Sequence, residues 1–227
     1  MRQSLPYALA MSLGGCAAVA SSADLAGSPV ARVERHGVRH PGEGLTVRVP
    51  ATALYAGGER FTLYDVADCE VHVFVEADAR RRVRRLFWIQ FEGYLPSLPE
   101  RRYNYAEGNR RIEAWRFPTW VGAAPANYAQ QPPRAGSDRE RVVAILTRAG
   151  FALPTDALVV RLVQLLDDPQ GTGRGRRELM LIYAEDLSPA GLTANDFRTD
   201  GAPNARWTAA EQPLIERAIA AFDVVRR

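Results

Sequence analysis

Apolar and polar positions alternate most clearly between Cys69 and Glu92. Cys69, Val71, Val73 and Val75 interleave with Glu70, His72, Phe74 and Glu76, a period of two that predicts a β-strand with two unlike faces. On the return, Val83, Phe87, Ile89 and Phe91 share one parity, and Arg84, Leu86, Trp88, Gln90 and Glu92 the other. Joining the valine face to the Val83/Phe87 face predicts a hairpin with Glu76 opposite Arg82 and Phe74 opposite Arg84, both favourable cross-strand pairs.

Further strands are predicted at Leu45–Val49, after the Gly57-Gly58 turn signal at Arg60–Asp65, and at Arg110–Phe117. Residues 117–134 read as a long irregular connection. Ser137 with Glu140 three residues later is a capping box. It opens a helix whose apolar stripe is Val142, Ile145, Leu146 and Ala149, with Gly150 as its stop. Leu158–Asp168 and Arg177–Asp186 flank "DPQGTGRG" and predict a second hairpin. A final helix is expected to begin near Pro213 and to run through Ile215, Ile219 and Phe222. Strands in runs, with helices appended rather than alternating, indicate an α+β fold: an antiparallel sheet built from hairpins with two main helices, one domain over residues 45–227.

The N-terminus changes the setting. Arg2, the apolar run Leu5 to Leu13 and the small residues that follow have the layout of a secretory leader, too short to span a bilayer as a stable helix. Within it, "LGGC", Leu13 to Cys16, resembles the bacterial lipobox. The resemblance covers four residues and implies cleavage before Cys16, a diacylglycerol on its sulfur, and an anchor on the periplasmic face of the envelope, at the outer membrane. Ordinary cleavage after Ala23, giving a secreted or soluble periplasmic protein, and a buried apolar helix stay open as alternatives. A signal segment over 1–23 and a flexible, glycine-rich tether over 24–44 then precede the domain. His36 and His40 fall in that tether, and Gly37 and Pro41 argue against the helix that would make them metal ligands. Either cleavage leaves Cys69 as the one thiol, so the domain is expected to stand on its core without a disulfide.

Charge adds one asymmetry. All 29 basic side chains are arginine, and the net charge is only +3. From Arg80 to Arg116 ten arginines face four glutamates, whereas from Ser137 onward twelve face thirteen carboxylates. That is far from the load of a nucleic-acid binder. It leaves polyanion binding through the Arg80–Arg85 hairpin as an alternative function.

Catalytic motifs are sparse. "GTGRGR" is followed by a strand, not a helix, and the chain has no lysine, so it reads as a hairpin tip rather than a phosphate loop. The sequence holds neither a Gly-x-Ser-x-Gly elbow nor a metal-spaced cluster, so no cofactor or metal is expected. His72 with Glu70, read as a surface pair, is the one acid–base combination available to an envelope hydrolase, the alternative to a non-catalytic module. Ten of the twenty aromatics lie between Phe87 and Tyr128, interleaved with arginines. That composition suits either sheet packing or a face for sugars or other planar ligands. A ligand site there would take Trp88, Tyr94, Tyr103, Tyr105 and Trp115 as its wall and Arg84 or Arg116 as its anchor. The leading reading is a non-catalytic envelope lipoprotein that binds a small molecule, a glycan or an envelope protein.

Overall fold

The computed structural model describes residues 27–226. In chain order the elements begin with β1 (Arg32–Glu34), β2 (Gly37–His40), β3 (Leu45–Arg48), β4 (Leu54–Leu63), β5 (Ala67–Ala77) and β6 (Val83–Tyr94). The short β7 (Tyr103–Asn104), then β8 (Arg110–Ala114) and β9 (Phe117–Asn127), precede α1 (Asp138–Arg148). After it come β10 (Asp156–Leu165), β11 (Arg174–Gly175), β12 (Arg177–Asp186), β13 (Arg198–Thr199) and β14 (Ala202–Pro203). The chain closes with α2 (Ala205–Ala220) and β15 (Asp223–Arg226).

The architecture is α+β, as the pattern of hairpins predicts. Seven antiparallel strands form the main sheet in the order β4-β5-β6-β12-β10-β9-β8. A second sheet, β1-β2-β3-β15, joins the start of the described chain to its end. Both faces of the main sheet are covered. On one, Cys69, Val71, Val73, Leu86 and Trp88 pack under Val142, Ile145 and Leu146 of α1. On the other, Phe74, Phe87, Ile89, Leu162 and Leu181 meet Val38 and Val47 of the small sheet and Trp207, Leu214 and Ile215 of α2. Burying two faces rather than one doubles the apolar area that β5, β6, β10 and β12 remove from water.

That double coverage corrects the predicted register. Val73 faces Trp88 and Val75 faces Leu86, so the valines pair with the opposite parity of β6 from the one expected. Alternation selects a register only where one face is wet. Here both parities of β6 are apolar and both are buried. A bulge adds to the displacement: Glu76 pairs with Arg85 and Ala77 with Val83, so Arg84 is the extra residue, and Val83 and Leu86 share a face although three apart.

Three other expectations are corrected. The tether does not extend to residue 44, because β1 and β2 occupy Arg32–His40 and Val38 is fully buried against the core. The segment after Phe117 is a ladder strand, β9, paired with β8 and β10. The last helix starts eight residues before Pro213, where the Asn204 side chain accepts the N–H groups of Arg206 and Trp207. The N-cap of α1 is as read: the Ser137 hydroxyl accepts the Glu140 N–H. The Glu140 carboxylate, however, reaches back to the Gly136 N–H and not to Ser137.

Candidate functional site: an aromatic ladder over a carboxylate pair

Tyr94 closes β6, and the short β7–β11 pairing brings Tyr103 and Tyr105 back across the same end of the sheet. The Tyr105 N–H donates to the Gly173 carbonyl at 2.7 Å. Gly173 (φ +80°) sits so close that a Cβ there would lie 2.6 Å from the Ala106 nitrogen, so only glycine lets these two segments meet. Arg176 fixes the intervening loop, donating to the carbonyls of Tyr94, Leu95, Leu98, Pro99 and Arg101. The result is a run of rings: Tyr94 to Tyr103 at 4.5 Å, Tyr103 to Tyr105 at 6.5 Å, and Tyr105 to Trp120 at 5.7 Å between centroids.

Beneath the ladder, Glu92 of β6 and Glu178 of β12 are direct partners across the strands. The Tyr103 hydroxyl donates to Glu92 at 2.7 Å and the Tyr105 hydroxyl to Glu178 at 2.9 Å. Trp88 donates to Gln90, which donates to Glu92, so a single chain of hydrogen bonds joins the indole to the pair. Arg161 of β10 donates to the Tyr105 hydroxyl at 2.8 Å. Glu178 is 3% exposed, and burial together with the Glu92 charge pushes its carboxyl up to about 8. Burial and the same two carboxylates hold Tyr103 and Tyr105 above the usual phenol range.

A depression opens at each end of the ladder. Beyond Tyr94 is a cleft of about 450 Å³, floored by His40 and Phe91, whose rings are 4.5 Å apart. Both of its arginines are already paired: Arg60 grips Asp68 with two nitrogens, and Arg177 meets both oxygens of Glu43 at 2.8 and 2.9 Å, while Glu92, which also lines it, accepts from Gln90 and Tyr103. Beyond Tyr105 a trough of about 400 Å³ runs along β9 and β10, with Trp120, Gly122, Ala124, Val159 and Arg161 among its walls.

Of the residues expected at a ligand site, Tyr94, Tyr103 and Tyr105 therefore stand together, with Trp88 linked to them from the core. The other three lie elsewhere. Trp115 and Arg116 form the β8–β9 turn with φ of +51° and +65°, and the Trp115 indole packs on the α2 face and donates to the Phe222 carbonyl. Arg84 is pulled away from Trp88 by the bulge and ion-paired to Asp78 and Asp186. In the arginine hairpin, Arg81 stacks on Phe151 at 4.0 Å and caps α1 through the carbonyls of Ala149 and Gly150, and Arg85 pairs with Glu76. Arg80 and Arg82 are exposed.

His72 and Glu70 are not a surface pair: their side chains are 0% and 5% exposed, with Val30 and Ala31, which lead into β1, and Tyr55 of β4 against them. Glu70 accepts the N–H groups of Val30 and Ala31 and meets His72 Nε2 at 2.9 Å, while His72 Nδ1 lies 3.2 Å from the Tyr55 hydroxyl. Burial alone would raise the Glu70 carboxyl, but these hydrogen bonds outweigh it and hold it below the usual range. The arrangement clamps the entering chain to β5. The Cys69 thiol is buried, and burial pushes its pKa upward, away from reactivity. Among the described residues no helix is long and apolar enough to cross a membrane, and no group of three His, Cys, Asp or Glu is placed to hold a metal. Cys16 and the leader lie outside the described residues.

The sequence reading missed Glu92 and Glu178 as a pair, and with them Arg60, Asp68, His40, Arg161 and Arg177. The one signal was parity: Glu178 and Glu92 occupy inward positions of otherwise apolar strands, where a carboxylate needs a partner. No protein-family model matches this chain, and neither a curated protein nor a solved structure shows significant similarity to it.

Proposed function

We propose that the chain is a bacterial envelope lipoprotein, anchored through Cys16 on the periplasmic side of the outer membrane, and that its α+β domain is a non-catalytic binding module. The ligand is a neutral, hydroxyl-rich molecule such as an envelope glycan, held in the cleft beyond Tyr94. The observation that carries this reading is the state of the cleft charges: Arg60–Asp68 and Arg177–Glu43 are closed pairs beside the His40–Phe91 floor and the Tyr94 ring. An anionic ligand would have to break one of these pairs to reach a guanidinium, and the other two carboxylates of the cleft, Glu70 and Glu92, already accept donors from the protein. Hydroxyl groups instead accept from the guanidinium edges and donate to the carboxylates while the pairs stay closed, and the C–H face of a sugar lies on the aromatic floor.

Two further observations weigh against the alternatives. A hydrolase needs an acid–base group that reaches its substrate, and His72 is fully buried with both nitrogens engaged. A polyanion site needs several free cations, and Arg81, Arg84 and Arg85 are each committed to partners within the protein, which leaves Arg80 and Arg82 of that hairpin.

Saturation-transfer NMR with chitotetraose and maltotetraose tests the cleft. At least one is expected to bind, with the signal lost in Tyr94→Ala and Arg177→Ala; no transfer from either sugar overturns the reading. Radiolabelled palmitate is expected to enter the wild-type chain in cells and not Cys16→Ala, and equal labelling rules out the anchor.

A further inference from the structure

The trough beyond Tyr105 differs from the cleft in kind. No carboxylate lines it. Its one charged group is Arg161, which is exposed, forms no ion pair among the described residues, and has the Tyr105 hydroxyl as its one described hydrogen-bond partner. The nearest acid, Glu178, lies behind that hydroxyl, in surroundings that favour its neutral form. Four other arginines of the sheet, Arg60, Arg84, Arg85 and Arg177, each meet a carboxylate.

The floor explains why the space is open. Arg161 pairs across the ladder with Gly122, and Val159 with Ala124, so the strand beside the guanidinium carries almost no side chain. A Cβ built on Gly122 meets nothing within 4 Å. Helix α1 packs over β4 and β5 at the far edge of the sheet and leaves β9 and β10 uncovered here. At the end wall, Tyr105 and Trp120 present a phenol and an indole, and Arg161 lies 5.6 Å from the Tyr105 ring.

We infer that this trough binds a small amphipathic monoanion: one carboxylate, or an equivalent anionic head, on an apolar body that is flat or short. A single cation with spare N–H donors calls for one anion, to which it offers charge-assisted hydrogen bonds. The glycine, alanine and valine floor and the aromatic wall receive the apolar body. A polyanion would need cations in series, and a neutral ligand would leave the guanidinium without its counter-charge. The site is independent of the cleft, which lies beyond the opposite end of the tyrosine ladder.

The test uses the full chain with 4-phenylbutyrate and its uncharged amide, followed through the Trp120 indole N–H resonance, assigned with Trp120→Phe. The acid is expected to shift that resonance and to bind at least tenfold more tightly than the amide. Arg161→Gln, at an exposed position, is expected to abolish the preference with the fold unchanged by circular dichroism. Ala124→Leu, which fills the floor, is expected to weaken both ligands, whereas Arg177→Ala in the cleft changes neither. Equal binding of acid and amide, a preference that survives in Arg161→Gln, or no shift with the acid at millimolar concentration overturns the inference.

Discussion

Replacing Glu178 with glutamine probes the buried pair directly. In the folded protein the Glu178 carboxyl is raised from 4.5 to about 8, by burial first and by the charge of Glu92 second. The sign follows from linkage. The native state binds this proton more tightly than the unfolded chain, so ionising Glu178 costs the fold stability. The cost is absent below about pH 4.5, grows as pH rises through the window to about 8, and is complete above it. Each pKa unit is about 1.4 kcal/mol, so a displacement of this size sets a ceiling of about 5 kcal/mol. Glutamine does not titrate, its oxygen still accepts from the Tyr105 hydroxyl, and its amide can donate to Glu92. Half of the ceiling, about 2.5 kcal/mol, corresponds to about 5–10 °C in melting temperature for a chain of this size. Thermal unfolding at intervals from pH 5 to pH 9 is the assay, read as the difference between variant and wild type so that other titrations cancel. The two are expected to melt together near pH 5 and to diverge as pH rises, the variant being the more stable by pH 8.5. Parallel curves across that window would refute the account of the pair.

Other positions carry equally specific expectations. Arg176→Ala removes the donors that hold the carbonyls from Tyr94 to Arg101. It is expected to cost about 1.5–3 kcal/mol and to raise amide exchange in residues 95–102, and Arg176→Lys, which lacks the planar fork, should restore little of either. Gly37→Ala places a Cβ 2.2 Å from the Val47 carbonyl oxygen and 2.9 Å from Arg48 Cα. Chemical denaturation should show a loss of stability on the scale of an overpacked core, about 1–3 kcal/mol. Glu70→Gln weakens the clamp on Val30 and Ala31, so limited proteolysis is expected to cut near residue 30 faster than in wild type. Because the folded Glu70 pKa lies below its ordinary value, its contribution is present at neutral pH and is lost as pH falls through that lowered value. Protection of this segment in wild type should therefore fade in acid, whereas the glutamine variant shows no such fading.

How much of this was legible in the sequence depends on how many faces of each strand are buried. The strand parity of β5, the helix cap at Ser137 and the existence of the second hairpin could be read because each rests on local chemistry: a period, a hydroxyl three residues before a glutamate, a turn rich in glycine and aspartate. In that turn Asp167 and Asp168 accept the backbone N–H groups of Arg176, Thr172 and Gly173, so their adjacency is turn chemistry. The β5–β6 register could not be read, because Leu86 and Trp88 are as buried as Phe87 and Ile89. An alternation of two apolar sets contains no preference between them, and the Arg84 bulge, fixed by Asp78 and Asp186, has no signature in the pattern. His72 and Glu70 looked solvated for the same reason: Val30 and Ala31, which lie against Glu70 and lead into β1, come from a stretch whose glycines and charges read as a linker. The aromatic wall was half legible. Tyr94, Tyr103 and Tyr105 cluster in sequence and in space, but Trp115 and Arg116 sit together in a positive-φ turn, where the Trp115 indole meets the α2 side and Arg116 is exposed. What local pattern could not supply in each case was a long-range partner. A carboxylate at an inward strand position, such as Glu92 or Glu178, is the one sequence feature that announces such a partner. Isolated in water it would be unremarkable. Between Phe91 and Gly93, or between Arg177 and Leu179, it requires a donor from another strand, and here that donor is a tyrosine.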